Sequence, residues 1–193
     1  HPIITKGGNL VNVVPDEVVI ETLVRAANKD AIADAAAKTD RAFKAGAIAV
    51  GASCEVTTMP GYLPALSEKA DASVLTAAEI AAQTSEKDYQ IVQEDTHAYS
   101  GGSTDVGDVQ HLQPVLTFNT GGKVSGLHSV DFDIVDEELA YVVTAKIFAL
   151  SAYRLLRDRA VKAKEIVANY QPIFTKEEYI KYMDSFIGTE TYQ

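Results

Sequence analysis

The sequence predicts a chain of mixed α+β and α/β class, and three observations carry that reading. Residues 1–60 run in the order strand, strand, helix, strand, which describes a helix laid over one face of an antiparallel sheet. A buried-type strand over residues 114–120 is followed by a glycine-rich loop and a long helix, the strand–loop–helix order of an α/β segment. Beyond residue 70 the other apolar patterns are helical.

The first element, residues 2–6, is β-like and stops at the turn signal Gly7-Gly8. Residues 18–24 (Val-Val-Ile-Glu-Thr-Leu-Val) are rich in β-branched side chains, which suit a pleated surface. Asp30 is the expected N-cap of a helix reaching about Val50, where Gly51 stands at the C-terminal glycine position. Ile32, Ala36, Thr39, Phe43, Ala47 and Val50 keep a period near 3.6, so one face of that helix is expected to be buried. Residues 54–59 alternate like a strand and end at Pro60-Gly61.

After a connector over residues 62–68, the Ala-rich residues 75–83 are expected to be helical. Residues 85–100 carry no clear pattern. A short helix is expected over residues 106–112, opened by the turn Ser103-Thr104-Asp105. Asp136 should cap the long helix, with Glu137 and Glu138 favourable to the macrodipole in its first turn. Its apolar stripe runs Leu139, Val143, Ile147, Leu150, Leu155, and Pro172 lies just beyond its end near Tyr170. Thr175 with Glu178 matches a capping box for a last short helix.

Composition excludes several classes of partner. The chain of 193 residues carries a formal net charge of −10, and its 17 Lys and Arg form no basic stripe. Such a surface repels phosphate backbones, so no nucleic acid is expected. No apolar run approaches the ~20 residues of a membrane span, so no membrane partner is expected either. No signal peptide is visible. Cys54 is the sole cysteine and reads as a small buried hydrophobe; without an intrachain disulfide the chain fits a reducing, cytoplasmic setting. The start at His1, directly in β-like sequence, reads as an excised or processed chain.

Three stretches carry a resemblance. They are Ile3-Ile4-Thr5-Lys6-Gly7-Gly8 with Asn12-Val13-Val14-Pro15 and Val24-Arg25; Gly101-Gly102-Ser103-Thr104-Asp105-Val106-Gly107-Asp108-Val109; and Gly126-Leu127-His128-Ser129, followed by the helix start Asp136-Glu137-Glu138. Each is weak alone. In this order and spacing they resemble the aminoacylase/carboxypeptidase family of metallopeptidases, nearest its aminobenzoyl-glutamate hydrolase and aminoacylase-like dipeptidase branch. Residues 84–100 and 171–193 match poorly.

The resemblance implies an architecture and a chemistry. Family members have an α/β catalytic domain with two zinc ions and an inserted α+β (ferredoxin-like) lid that forms a homodimer. On that template residues 1–66 are the second half of the lid, and residues 67–193 are the C-terminal segment of the catalytic domain. The substrate would be a dipeptide or an N-acyl amino acid, cleaved at an amide beside a free carboxylate.

Individual residues inherit roles only where they match. His128, in a glycine-rich loop, resembles the family's final metal-binding histidine; imidazole is a common zinc ligand. Asn12 and Arg25 each follow a strand, so both are expected at one rim of the lid sheet. They resemble the pair that holds the substrate's carboxylate or scissile carbonyl oxygen, and a guanidinium suits a carboxylate. Ser103, Thr104 and Asp105 are cap residues whose turn lies beside the site in the family. His1, His97 and His111 receive no role.

What the chain lacks bears on mechanism. The family uses a His-x-Asp pair, a bridging Asp, a Glu-Glu pair and a further carboxylate, the first Glu acting as general base. No His-x-Asp occurs here. Glu137-Glu138 and Glu177-Glu178 open helices, and Asp16-Glu17, Asp131 and Asp133 read as turn or cap acids. The chain alone is therefore expected to be inactive and to bind zinc weakly. A non-catalytic dimerisation module, or a small-carboxylate binding module of α+β type, is the alternative.

Overall fold

The computed structural model describes residues 2–66, 72–82, 89–91 and 104–193. It is a mixed chain of helices and small antiparallel sheets. It divides into two compact units: His1–Ala65 with Ser103–Asp108 and Phe174–Gln193, and Leu66–Gly102 with Val109–Ile173.

The first unit contains the expected order strand, strand, helix, strand, but not as one sheet. β1 (Ile3–Lys6) pairs antiparallel with β2 (Val19–Glu21), Ile3 facing Glu21 and Lys6 facing Val19. β2 is shorter than the β-branched run suggests, because β1 offers it only a few ladder partners. An exposed Lys6–Glu17 ion pair joins the two ends of the intervening loop. β3 (Cys54–Thr58) pairs instead with β6 (Gly188–Tyr192), Cys54 opposite Tyr192 and Thr58 opposite Gly188. The Thr57 and Thr189 hydroxyls lie 3.0 Å apart across this pair. Cys54 is half-buried in it, rather than a core residue.

α1 (Lys29–Ala49) packs on β3. Its N-cap is Asn28, not Asp30: the Asn28 side chain accepts the Ala31 N–H at 2.9 Å, and Asp30 sits inside the first turn. The start therefore lies two residues earlier than the acidic signal suggests. Its end follows expectation. Gly51 takes φ +73°, its N–H reaches the Ile48 carbonyl, and the Ala52 N–H reaches that of Ala47. This is the double bond of a Schellman motif, which a left-handed glycine closes. Two lysines tie α1 to the C-terminal residues. Lys29 Nζ lies 4.4 Å from the centroid of Phe174, and Lys44 Nζ lies 4.1 Å from that of Tyr192. These are cation–π distances.

α5 (Lys176–Asp184) begins with the expected capping box. Glu178 accepts from the Thr175 N–H at 2.8 Å, and the Thr175 hydroxyl accepts from the Glu178 N–H at 3.2 Å. The Thr175 backbone bond first, and its hydroxyl second, hold the Glu178 carboxyl below the ordinary value of 4.5. A depressed carboxyl contributes stability above its unfolded pKa and loses it as pH falls through the folded one. The helical content of α5 should therefore decline below about pH 4. Thr175→Ala should cost about 1 kcal/mol at neutral pH. Circular dichroism of both proteins across pH 2–7 checks this; identical acid profiles would contradict the capping role.

The second unit is built on two helices. α2 (Ala72–Ala82) packs on α4 (Thr144–Asn169), and its core joins Ala78 and Ala82 to Val143 and Ile147. The small alanine side chains let the two backbones approach closely. Tyr89, Phe118, Leu139 and Leu150 pack around this core, and Phe118 meets Phe148 edge-on at 4.8 Å. The expected helix onset is present: Asp136 accepts the Leu139 N–H at 3.1 Å. The first turns, Glu138–Val143, are wound as a π-helix before α4 proper. There the Thr144 hydroxyl bonds the Leu139 carbonyl at 3.1 Å.

One expectation fails in this unit. Residues 114–120 form no strand, though several are half-buried, because no ladder partner lies beside them among the described residues. The loop beyond holds a small hairpin, β4 (Lys123–Val124) with β5 (Asp133–Ile134). The long helix ends as expected, capped at Tyr170, although Arg157 to Ala160 leave helical geometry within it. Glu138–Asn169 is long and apolar enough to cross a membrane by length and composition, with a mean hydropathy of 1.4 in its most apolar window. The same composition suits a helix whose Val143 and Ile147 pack against α2, so this is weak evidence of a span.

Candidate functional site

Gly107 of the second motif stretch, and Gly122 ahead of the third, have local physical reasons. A Cβ at Gly107 would stand 2.1 Å from the Leu63 carbonyl oxygen. That glycine lets residues 63–65 lie against α3 (Val106–Gln110), where the Asp108 carboxylate accepts the Leu63 N–H at 2.8 Å. Gly122 takes φ +87°, and a Cβ there would meet the Asp136 carbonyl oxygen at 2.6 Å. Its own carbonyl accepts the Val135 N–H at 2.8 Å, which closes the loop bearing His128.

His128 sits in that loop, between the strands of the β4–β5 hairpin. It is exposed and in the left-handed region, at φ 68°. Left-handed backbone is uncommon for a non-glycine residue. Ser125, at φ 63°, shares it. Asp131 organises the loop, accepting from the Ser129 hydroxyl and, at 2.7 Å, from that of Ser125. These bonds, Ser129 first, hold the Asp131 carboxyl below its ordinary range. Asp131 is thus the turn acid the sequence suggests. Among the described residues no three His, Cys, Asp or Glu side chains gather to hold a metal ion. The described residues therefore do not make a two-zinc centre by themselves.

Asn12 and Arg25 are both exposed and both in the first unit. Their segments leave the β1–β2 pair at opposite ends. Asn12 lies in the turn region between β1 and β2, beyond the Lys6–Val19 end of the pair. Arg25 follows Glu21, beyond the opposite end. Antiparallel pairing places the exit of one strand beside the entry of the next, so residues following successive strands fall at opposite ends.

Thr104 acts as the expected cap: its hydroxyl accepts the Val106 N–H at 3.4 Å, and the Asp105 carbonyl accepts the Asp108 N–H at 3.0 Å. Ser103, His1 and His97 lie outside the described residues. His128 belongs to the second unit and the Thr104-Asp105 turn to the first.

Two polar residues that the sequence left without roles are buried. His111 is 2% exposed, and its carbonyl accepts the Ile173 N–H at 3.0 Å. Gln110 is also buried and clamps Leu66, accepting its N–H at 2.9 Å and donating to its carbonyl at 3.3 Å. The Tyr170 hydroxyl donates to the Gln110 carbonyl. No pattern in the sequence marks these positions, because neighbouring polar residues in a short helix look like a solvated face. No protein-family model, curated protein or solved structure matches the chain.

Proposed function

We propose that this chain is part of a metal-dependent amidohydrolase or peptidase that cleaves dipeptides or N-acyl amino acids. On this reading residues 1–66 belong to a ferredoxin-like lid, and residues 67–193 complete the catalytic domain. The observation that carries the reading is the order and spacing of the three motif stretches. The steric demand for glycine at Gly107 supports it, since it gives one of those stretches a physical reason for its glycine.

Arg25 binds the carboxylate of the substrate, because a guanidinium forms a two-pronged charge-assisted pair with it. Asn12 acts separately, as an amide donor to the scissile carbonyl oxygen. His128 contributes one ligand of a zinc centre whose other ligands and general base lie outside this chain. When bound, zinc would supply Lewis-acid activation of water.

The open edges of the β1–β2 pair favour homodimer formation through the lid, since unpaired strand edges recruit other strands. The test is a longer protein bearing the missing ligand motifs. It should bind two zinc ions per chain, hydrolyse an N-acetyl amino acid and sediment as a dimer at micromolar concentration. A zinc-loaded protein without turnover would refute the hydrolytic reading, and a monomer would refute the dimer.

A further inference from the structure

The irregular stretch of α4 borders a cavity that the hydrolytic reading does not use. Arg157 departs from the helix at ψ 165°, and Asp158, Arg159 and Ala160 follow at φ 52°, 60° and 59°. Each L-residue held in the left-handed region costs about 1–2 kcal/mol. Strain of that size persists where surrounding structure or function demands it.

The cavity, of about 350 Å³, is lined by Val74 and Ala77 of α2 and by Arg154, Arg157, Asp158, Val161, Lys162 and Glu165 of α4. That volume is at the small end of ligand pockets. Its two carboxylates already face cations. Asp158 lies 3.6 Å from Arg157, and Glu165 lies 3.4 Å from Lys162.

Arg154 is different. Its Nε is buried with no hydrogen-bond partner, and so is the nearby Ser151 hydroxyl. A buried guanidinium N–H without an acceptor carries the full desolvation penalty of a charged donor. An acceptor in the cavity removes that penalty. The apolar wall of Val74, Ala77 and Val161 selects against a bare inorganic anion.

We propose that this cavity binds a small organic carboxylate, its head on the Arg154 guanidinium and its short aliphatic tail against Val74, Ala77 and Val161. The site concerns α4 and α2 alone, so its fate is independent of Arg25, His128 and the hydrolytic reading.

The test titrates the full chain with butyrate, butyramide and inorganic phosphate, following backbone amide shifts. Butyrate should bind saturably and move the amides of Ala77 and Val161, while butyramide should not bind. Arg154→Met should weaken butyrate at least about tenfold, with Arg154→Lys intermediate. Val161 is 62% exposed, so Val161→Asp leaves the helix packing intact; its added charge should abolish butyrate binding. Equal binding of butyramide, phosphate as tight as butyrate, or undiminished affinity in either Arg154→Met or Val161→Asp would overturn the assignment.

Discussion

Purified alone and supplied with zinc, the chain should hydrolyse neither dipeptides nor N-acyl amino acids above the uncatalysed background. A catalytic zinc needs about three protein ligands and an open position for water. Of the family's metal ligands, the chain matches only His128. Neither Glu pair of the sequence stands in the context of the family's general base. Glu178 is committed to the Thr175 cap, and Glu138 stands in the first turn of the π-helical onset. Asp131 is engaged by two serine hydroxyls. Metal-dependent amide hydrolysis gains at least about a millionfold over background, so its absence is easy to read. Chelator-sensitive turnover by the pure chain would show that ligands and base are present after all.

The second large effect belongs to Arg25. In a longer protein bearing the proposed ligand motifs, Arg25→Ala should raise KM about ten- to a hundredfold, the loss expected for a charge-assisted pair. Zinc content should not change. Arg25 is exposed in the segment between β2 and α1, so its truncation opens no cavity in the core. Arg25→Lys keeps the charge but loses the planar fork, and should fall between the two. A KM equal to that of the parent would remove Arg25 from the site.

The local signals in the sequence were legible where they depend on neighbouring residues. The left-handed glycine at Gly51, the Thr175–Glu178 box and the Asp136 cap are each set within one helical turn, and each is present. What depends on distant partners was not legible. The β3–β6 pair joins residues 54–58 to residues 188–192, and nothing in either segment names the other. Residues 114–120 have strand-like composition, but a strand needs a neighbour to share its ladder. The kink after Leu156 breaks no pattern, because Asp158, Arg159 and Ala160 are ordinary helix residues out of context.

The candidate site was legible unevenly. His128 was singled out by its glycine-rich loop, yet the hairpin that carries it and its left-handed backbone follow from Gly122 and Asp131 together. Asn12 and Arg25 read as strand-end residues, and the antiparallel register sends the segments that carry them out at opposite ends of the β1–β2 pair. The unpartnered Nε of Arg154 is invisible in sequence, because an arginine in a charged helix segment resembles any solvated one.

On the proposed reading this chain continues a metal-dependent amidohydrolase, with the remaining ligands encoded ahead of it. The coding DNA upstream of His1 tests that reading. An open frame continuous with this one should encode a His-x-Asp pair and a Glu-Glu pair. A start codon adjoining His1, or a long in-frame segment with neither motif, would rule the reading out.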